Sequence, residues 1–164
     1  MHKIIVLLTL VIILTSINGL IYQKQQVLAE GTTILLQLMP LDPRSLMQGD
    51  YMHLQYKMAR DIELSSMEDH RGKLVVTLDQ QQRATFKRLY QQKIPLQPNE
   101  HLLVFHRRGT QIYIGAETFF FQEGLARQYD KARYGELKVD KTGKSVLVGL
   151  RDEQLKPLGT KDLL

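Results

Sequence analysis

The sequence predicts a mainly β (α+β) protein: an N-terminal transmembrane helix, then a compact curled β-sheet or barrel-like domain with one short amphipathic helix near residues 122–133. Three observations predict it. Residues Ile4 to Ile21 form an apolar run with no charge inside it. Beyond Gly31, apolar residues alternate with polar ones in short runs separated by Gly, Pro, Asn and Asp, which is the period of half-buried strands. One later stretch alone switches to helical spacing.

The 18 residues from Ile4 to Ile21 would make roughly 27 Å of helix at about 1.5 Å per residue, close to the hydrocarbon thickness of a bilayer. The run is longer than an ordinary export-signal core, and Ser16-Ile17-Asn18 and Asn18-Gly19-Leu20 are poor substitutes for an A-x-A cleavage site, so the reading is an uncleaved anchor rather than a cleaved signal. Gln23 to Glu30 are adequate helix formers and extend the helix until Gly31. Lys3 and Lys24 flank the run almost symmetrically, so loop charge gives little orientation. Residues 1–30 thus form an anchor and short linker, and residues 31–164 one domain. The whole chain carries +5 at neutral pH, of which the part beyond about Gln23 keeps +4. With no cysteine, disulfides, thiolate metal sites and a Cys nucleophile are excluded.

Thr32 to Leu38 suits an apolar strand. Pro40 and Pro43 remove donors and push Met39 and Asp42 toward extended geometry, which requires a loop. After Gly49-Asp50 a strand runs from Tyr51 to Met58, with Tyr51, His53 and Gln55 on one face and Met52, Leu54, Tyr56 and Met58 on the other. Arg60 to Arg71 is mixed, closed by Gly72. Lys73 to Leu78 is a strand, and Arg83 to Tyr90 is its hairpin partner or, on the alternative reading, a helix. Pro95 and Pro98 mark a surface loop. His101 to His106 and Gln111 to Ile114 form a hairpin about Gly109, and Glu117 to Phe121 is extended. From Gln122 to Arg133, Leu125, Tyr129 and Ala132 share one helical face. Leu137 to Val139 and Ser145 to Leu150 close a hairpin at Gly143, and the tail beyond Leu150 has no strong period.

The stretch Pro40 to Tyr56, PLDPRSLMQGDYMHLQY, resembles the defining pattern of the GDYXXLXY family of membrane-anchored bacterial proteins, with Gly49, Asp50, Tyr51, Leu54 and Tyr56 filling all five specified positions. The preceding Asp42, Pro43 and Arg44, then Phe120, Phe121, Glu123 and Gly124, and ARYGELKV from Ala132 to Val139 are also similar to it. The resemblance implies an anchor in the bacterial inner membrane with the C-terminal domain on the extracytoplasmic side, and it implies no reaction.

The residues themselves point to a non-catalytic envelope domain that binds or assists a partner, with another membrane protein as the partner that suits the anchor, through the 40–56 loop and strand. Arg44, Asp50 and Tyr51 are displayed for binding, with Glu123 and Arg127 as further candidates. Gly49, Leu54, Tyr56, Phe121 and Gly124 read as structural. The competing enzyme reading makes Asp50 and Glu123 an acid/base pair of an envelope hydrolase, which requires carboxyl groups roughly 5 to 9.5 Å apart. Each acid also has a structural explanation: Asp50 can hold its turn through backbone donors, and Glu123 can stabilise a helix start and pair with Arg127. Aligned on Gly49-Asp50, the nucleophile position of type I signal peptidases falls on Leu41 and Ser45 takes a threonine position, which argues against a protease.

The histidines His53, His70, His101 and His106 are scattered without metal-ligand spacing. Met39, Met47, Met52, Met58 and Met67 could suggest copper, but Met52 and Met58 share the core parity of Leu54. No metal and no cofactor is expected. Between Arg83 and Arg108, Arg83, Lys87, Arg88, Lys93, Arg107 and Arg108 face one acid, Glu100, a surface suited to anionic lipid headgroups or an acidic partner. No nucleic-acid motif is present. Phe119, Phe120 and Phe121 cannot all enter one core from a strand, so at least one faces another layer, a partner or the membrane interface.

Overall fold

The long helix α1 (His2–Glu30) leads into a set of short strands and, among the described residues, two one-turn helices. The computed structural model describes residues 2–39, 51–62, 70–122 and 124–159. α1 is apolar all round: over Lys3–Glu30 its best 18-residue window has a mean hydropathy of 2.7 and none of it is buried. It is therefore long and apolar enough to cross a membrane. Its polar side chains turn inward on the helix, with Thr9, Thr15, Ser16 and Asn18 each donating to the carbonyl four residues back. That removes unsatisfied donors from the surface.

Ten strands follow. β1 (Thr32–Gln37), β8 (Tyr134–Val139), β9 (Ser145–Arg151) and β10 (Pro157–Leu158) form one sheet in the order β1-β8-β9-β10. β4 (Ala84–Leu89), β3 (Arg71–Leu78), β5 (Glu100–Arg108) and β6 (Gln111–Ile114) form a second in the order β4-β3-β5-β6. β2 (Tyr51–His53) and β7 (Thr118–Phe120) make a two-stranded ribbon. All the sheet pairings are antiparallel. The fold is mainly β with an N-terminal helix, its sheets curled as half-barrels, as the alternation predicts.

Two backbone hydrogen bonds link the two larger sheets. Leu35 N donates to Gln82 O at 2.8 Å, joining β1 to the entry of β4, and Val104 N donates to Gly143 O at 2.8 Å on the stretch of β5 that β6 leaves uncovered. Gly143 has φ +90°, and a Cβ there would stand 3.1 Å from the Leu102 backbone. The turn thus needs a residue that accepts the left-handed region and a close backbone approach, and glycine meets both demands. At the other end of β9, Arg151 grips Glu136 at 2.8 and 2.9 Å and donates to Leu155 O, fastening the tail.

Ile34, Leu36, Leu74, Leu103, Ile114 and Leu137, all fully buried, share one core with Met52, Leu54 and Tyr56 from the motif. Leu35, between them in sequence, is also buried but lies outside that core cluster, on the other face by strand parity, which explains why Thr32 to Leu38 alternates only imperfectly.

Several elements are shorter or longer than the pattern suggests. The strand expected over Tyr51 to Met58 keeps its alternation of burial, but its ladder stops at His53, and Met58–Asp61 turn into the helix α2. Arg83 to Tyr90 is strand, not helix. Gly72 does not close a loop; it lies within β3 opposite Phe105, whose ring occupies the space a Cβ would take. The amphipathic segment near 122–133 is helical only over Ala126–Tyr129 (α3), although Tyr129 and Ala132 do bury the face that the spacing marks.

Candidate functional site

Of the five specified motif positions, Tyr51, Leu54 and Tyr56 are described, whereas Gly49 and Asp50 lie outside the described residues, as do Arg44 and Glu123. The proposed Asp50 and Glu123 pair therefore has no described geometry. What the rest of the motif does is plain in its contacts. Leu54 N donates to Glu117 O at 2.7 Å, Met39 N to Gln55 O at 2.7 Å, and Lys57 N to Gln37 O at 2.9 Å. The stretch after β2 thus clips the end of β1 to the loop before β7. Leu54 and Tyr56 point inward, 4% and 3% exposed. The Tyr56 ring lies against Gly135, and its hydroxyl donates to Ala116 O at 2.7 Å. Burial, aided by the nearby Glu117 carboxylate, pushes that hydroxyl well above the usual tyrosine range, so it stays a neutral donor.

The opposite parity faces outward. Tyr51 pairs across the ribbon with Phe120, their rings 5.9 Å apart, and packs edge-on against His53 at 5.3 Å. Phe120 is 74% exposed. Its neighbours behave oppositely: Phe119 and Phe121 pack on the core and each meets the Tyr129 ring, at 5.1 and 5.2 Å. The run of three phenylalanines is thus two anchors and one displayed ring, as strand alternation requires. Gly124, at φ +85°, follows this anchor, and Arg127 stands exposed on α3.

Beside the ridge of Tyr51, His53 and Phe120 lies a cleft of about 700 Å³, lined by His53, Gln55, Arg60, Tyr113 and Glu117 over a floor that includes Tyr56 and Ile114. Glu117 reaches His106 Nε2 at 3.6 Å, and His106 stacks on Tyr113 at 5.6 Å. Sequence reasoning does not find this acid and imidazole together, because β5, β6 and β7 bring them to one place from positions eleven apart with no local spacing signal. A carboxylate beside a histidine can order an imidazole, and the hydroxyl side chains of Thr110, Tyr113 and Thr118 line the same cleft. No group of three or more His, Asp or Glu among the described residues is placed to hold a metal ion.

The basic tract from Arg83 to Arg108 is partly neutralised. Glu100, its side chain 1% exposed, takes Lys87 Nζ and Arg88 Nη2, both at 2.9 Å, and Arg83 pairs with Asp79 at 2.6 Å. A register shift between Val75 and Val76 opposite leaves Lys87 as an extra residue in β4, and so consecutive side chains can both reach one acid. The hydrogen bond from Lys87, then that from Gln97 N–H, with the Arg88 charge nearby, lowers the Glu100 carboxyl to about 2. Because that value lies below the unfolded one, the contribution of Glu100 to stability is full above about pH 4.5 and is lost as pH falls toward about 2. Glu100→Gln is expected to lower stability at neutral pH and to flatten the acid limb of a stability profile across that window. An unchanged acid limb would place the acid sensitivity elsewhere.

A family model described as GDYXXLXY protein matches residues 13–150. The chain belongs to the GDYXXLXY family. The match includes part of α1, the whole motif and all strands through most of β9. No match was found among curated proteins or among solved structures. In this GDYXXLXY protein the Leu and second Tyr of the family pattern are clasp residues inside the core, while the first Tyr is on the outside.

Proposed function

We propose that this GDYXXLXY protein is a membrane-anchored, non-catalytic envelope domain that holds another membrane protein through the ridge of Tyr51, His53 and Phe120. In this reading α1 spans the bacterial inner membrane, and the β-rich part stands on the extracytoplasmic side. Arg44, Asp50, Glu123 and Arg127 are the polar groups proposed to complete the contact. The observation that carries the proposal is the displayed Phe120 ring, 74% exposed on a ribbon whose other face is fixed by Met52 and Phe119. An aromatic side chain with few rotamers on a rigid support is the kind of group that dominates binding energy at interfaces. Among the described residues the ring that Phe120 meets is that of Tyr51 across the ribbon, a cross-strand pair worth about 0.2–1 kcal/mol.

Phe120→Ala is therefore expected to leave unfolding within about 1 kcal/mol of the natural chain while abolishing the contact. A photoreactive residue at Tyr51 or Phe120, activated in growing cells, should capture the same integral membrane protein from both positions and not from Gln81. Capture of nothing, or equal capture of the same species from Gln81, would contradict the proposal.

A further inference from the structure

We propose that the cleft between the end of α1 and the turn joining β8 to β9 is a binding site for the headgroup of an anionic phospholipid. The inference rests on the reading of α1 as a membrane span. The cleft measures about 640 Å³, and Leu20, Lys24, Val27, Glu30, Lys141 and Lys144 are among its walls. Its two sides are held together where they meet: Val27 is buried, and Lys138 Nζ donates to Gly31 O at 3.2 Å.

Depth along the helix argues for lipid. From Leu20 to Glu30 is roughly 15 Å of helix at about 1.5 Å per residue, beginning in the last turn of the apolar run. The cleft therefore starts at the hydrocarbon edge and rises through the headgroup layer, which is roughly 5–8 Å thick. Tyr22, 67% exposed, stands at the same level, where aromatic rings favour the interface. Leu20 offers an apolar wall to the upper acyl chain, and Val27 lines the cleft at the junction above it. Lys24, Lys141 and Lys144 converge from two separate elements, and their ammonium groups make no hydrogen bond or ion pair with the described residues. Long lysine stems suit this position, since they lie along apolar surface with the charge at the phosphate level.

Two acids also line the cleft, and they behave differently. Asp140 is turned into its own loop: Oδ1 accepts from Thr142 N, Thr142 Oγ1 and Lys144 N, at 2.8, 2.7 and 2.9 Å. Those bonds outweigh its partial burial and hold its carboxyl below the usual range. Glu30 is exposed and makes no such bonds. It opposes an anionic headgroup, which gives the proposal a sign that can be measured. A free phosphate would use the lysines but gain nothing from Leu20.

The test uses the full chain in detergent, titrated with phosphatidylglycerol and with phosphatidylcholine, the bound lipid being counted by native mass spectrometry. Each lysine near an anionic surface is worth about fivefold. The triple variant Lys24→Gln, Lys141→Gln, Lys144→Gln should accordingly lose roughly a hundredfold of the preference for phosphatidylglycerol while remaining in the membrane pellet after alkaline carbonate. Glu30→Gln should raise that preference about fivefold. An unchanged preference in the triple variant, a weakened one in Glu30→Gln, or displacement of bound lipid by millimolar inorganic phosphate would overturn the site. Loss of the natural chain from the carbonate pellet would instead overturn the membrane span itself, so the two failures are distinguishable.

Discussion

Replacing Tyr56 by alanine is expected to lower the stability of the folded part by about 3–5 kcal/mol, the range for removing a buried aromatic ring. The ring is 3% exposed, and its backbone bridges Leu38. Its hydroxyl holds the Ala116 carbonyl 60 residues away. Loss of the ring opens a void where β1, β8 and the entry to β7 meet. Tyr56→Phe separates the two contributions: it keeps the ring and removes one hydrogen bond, for about 1 kcal/mol. The hydroxyl also predicts an alkaline signature. Its folded pKa lies above its unfolded value, so its contribution is full below about pH 10 and is lost as pH rises beyond it. Tyr56→Phe should flatten the alkaline limb. Denaturant unfolding of the full chain in micelles, followed by tyrosine near-UV dichroism because the chain has no tryptophan, reads both effects. A loss below about 1 kcal/mol for Tyr56→Ala would mean that the motif does not clasp the sheets.

The second large effect concerns α1. Each arginine near the centre of a membrane helix costs about 2.5–3.5 kcal/mol on insertion scales, so Leu10→Arg and Leu14→Arg together should cost roughly 5–7 kcal/mol. The two positions lie one turn apart in the apolar run of α1, where no described residue is buried to hide them. The expected result is transfer of the chain from the carbonate-resistant membrane fraction to the soluble or degraded fraction. Retention in the membrane fraction would show that something other than α1 holds the protein there.

These two predictions rest on features that the sequence displays with different clarity. The apolar helix is legible because length and hydropathy are local properties of consecutive residues. So are the hairpins: Tyr134 to Val139 alternates in burial without a break, and Gly143 stands in the left-handed region where the turn signal puts it. The end of β2 is less legible, because Met58 keeps the inward parity of a strand while entering a helical turn. For the same reason the helix read over Gln122 to Arg133 shrinks to one turn: Leu125, Tyr129 and Ala132 have helical spacing, yet the flanking residues reach the same core without regular helix. The candidate site divides likewise. The inward assignment of Leu54 and Tyr56 and the outward assignment of Tyr51 follow from period alone. The meeting of Glu117 with His106, of Glu100 with Lys87 and Arg88, and of Lys24 with Lys141 and Lys144 depends on which strands become neighbours, information that no local pattern carries.

In the proposed arrangement an anchored domain presents the ridge around Phe120 to a partner outside the cytoplasm. Because the chain contains no cysteine, single thiols can report this directly. Phe120→Cys and Gln81→Cys are compared for reaction with a membrane-impermeant maleimide, first in intact cells and then after purification in detergent. The expected result is that Gln81→Cys reacts equally fast in both, while Phe120→Cys is shielded in cells and becomes as reactive as Gln81→Cys once purified. Equal reactivity of the two thiols in cells, or labelling of Gln81→Cys only after the membrane is broken, would contradict it.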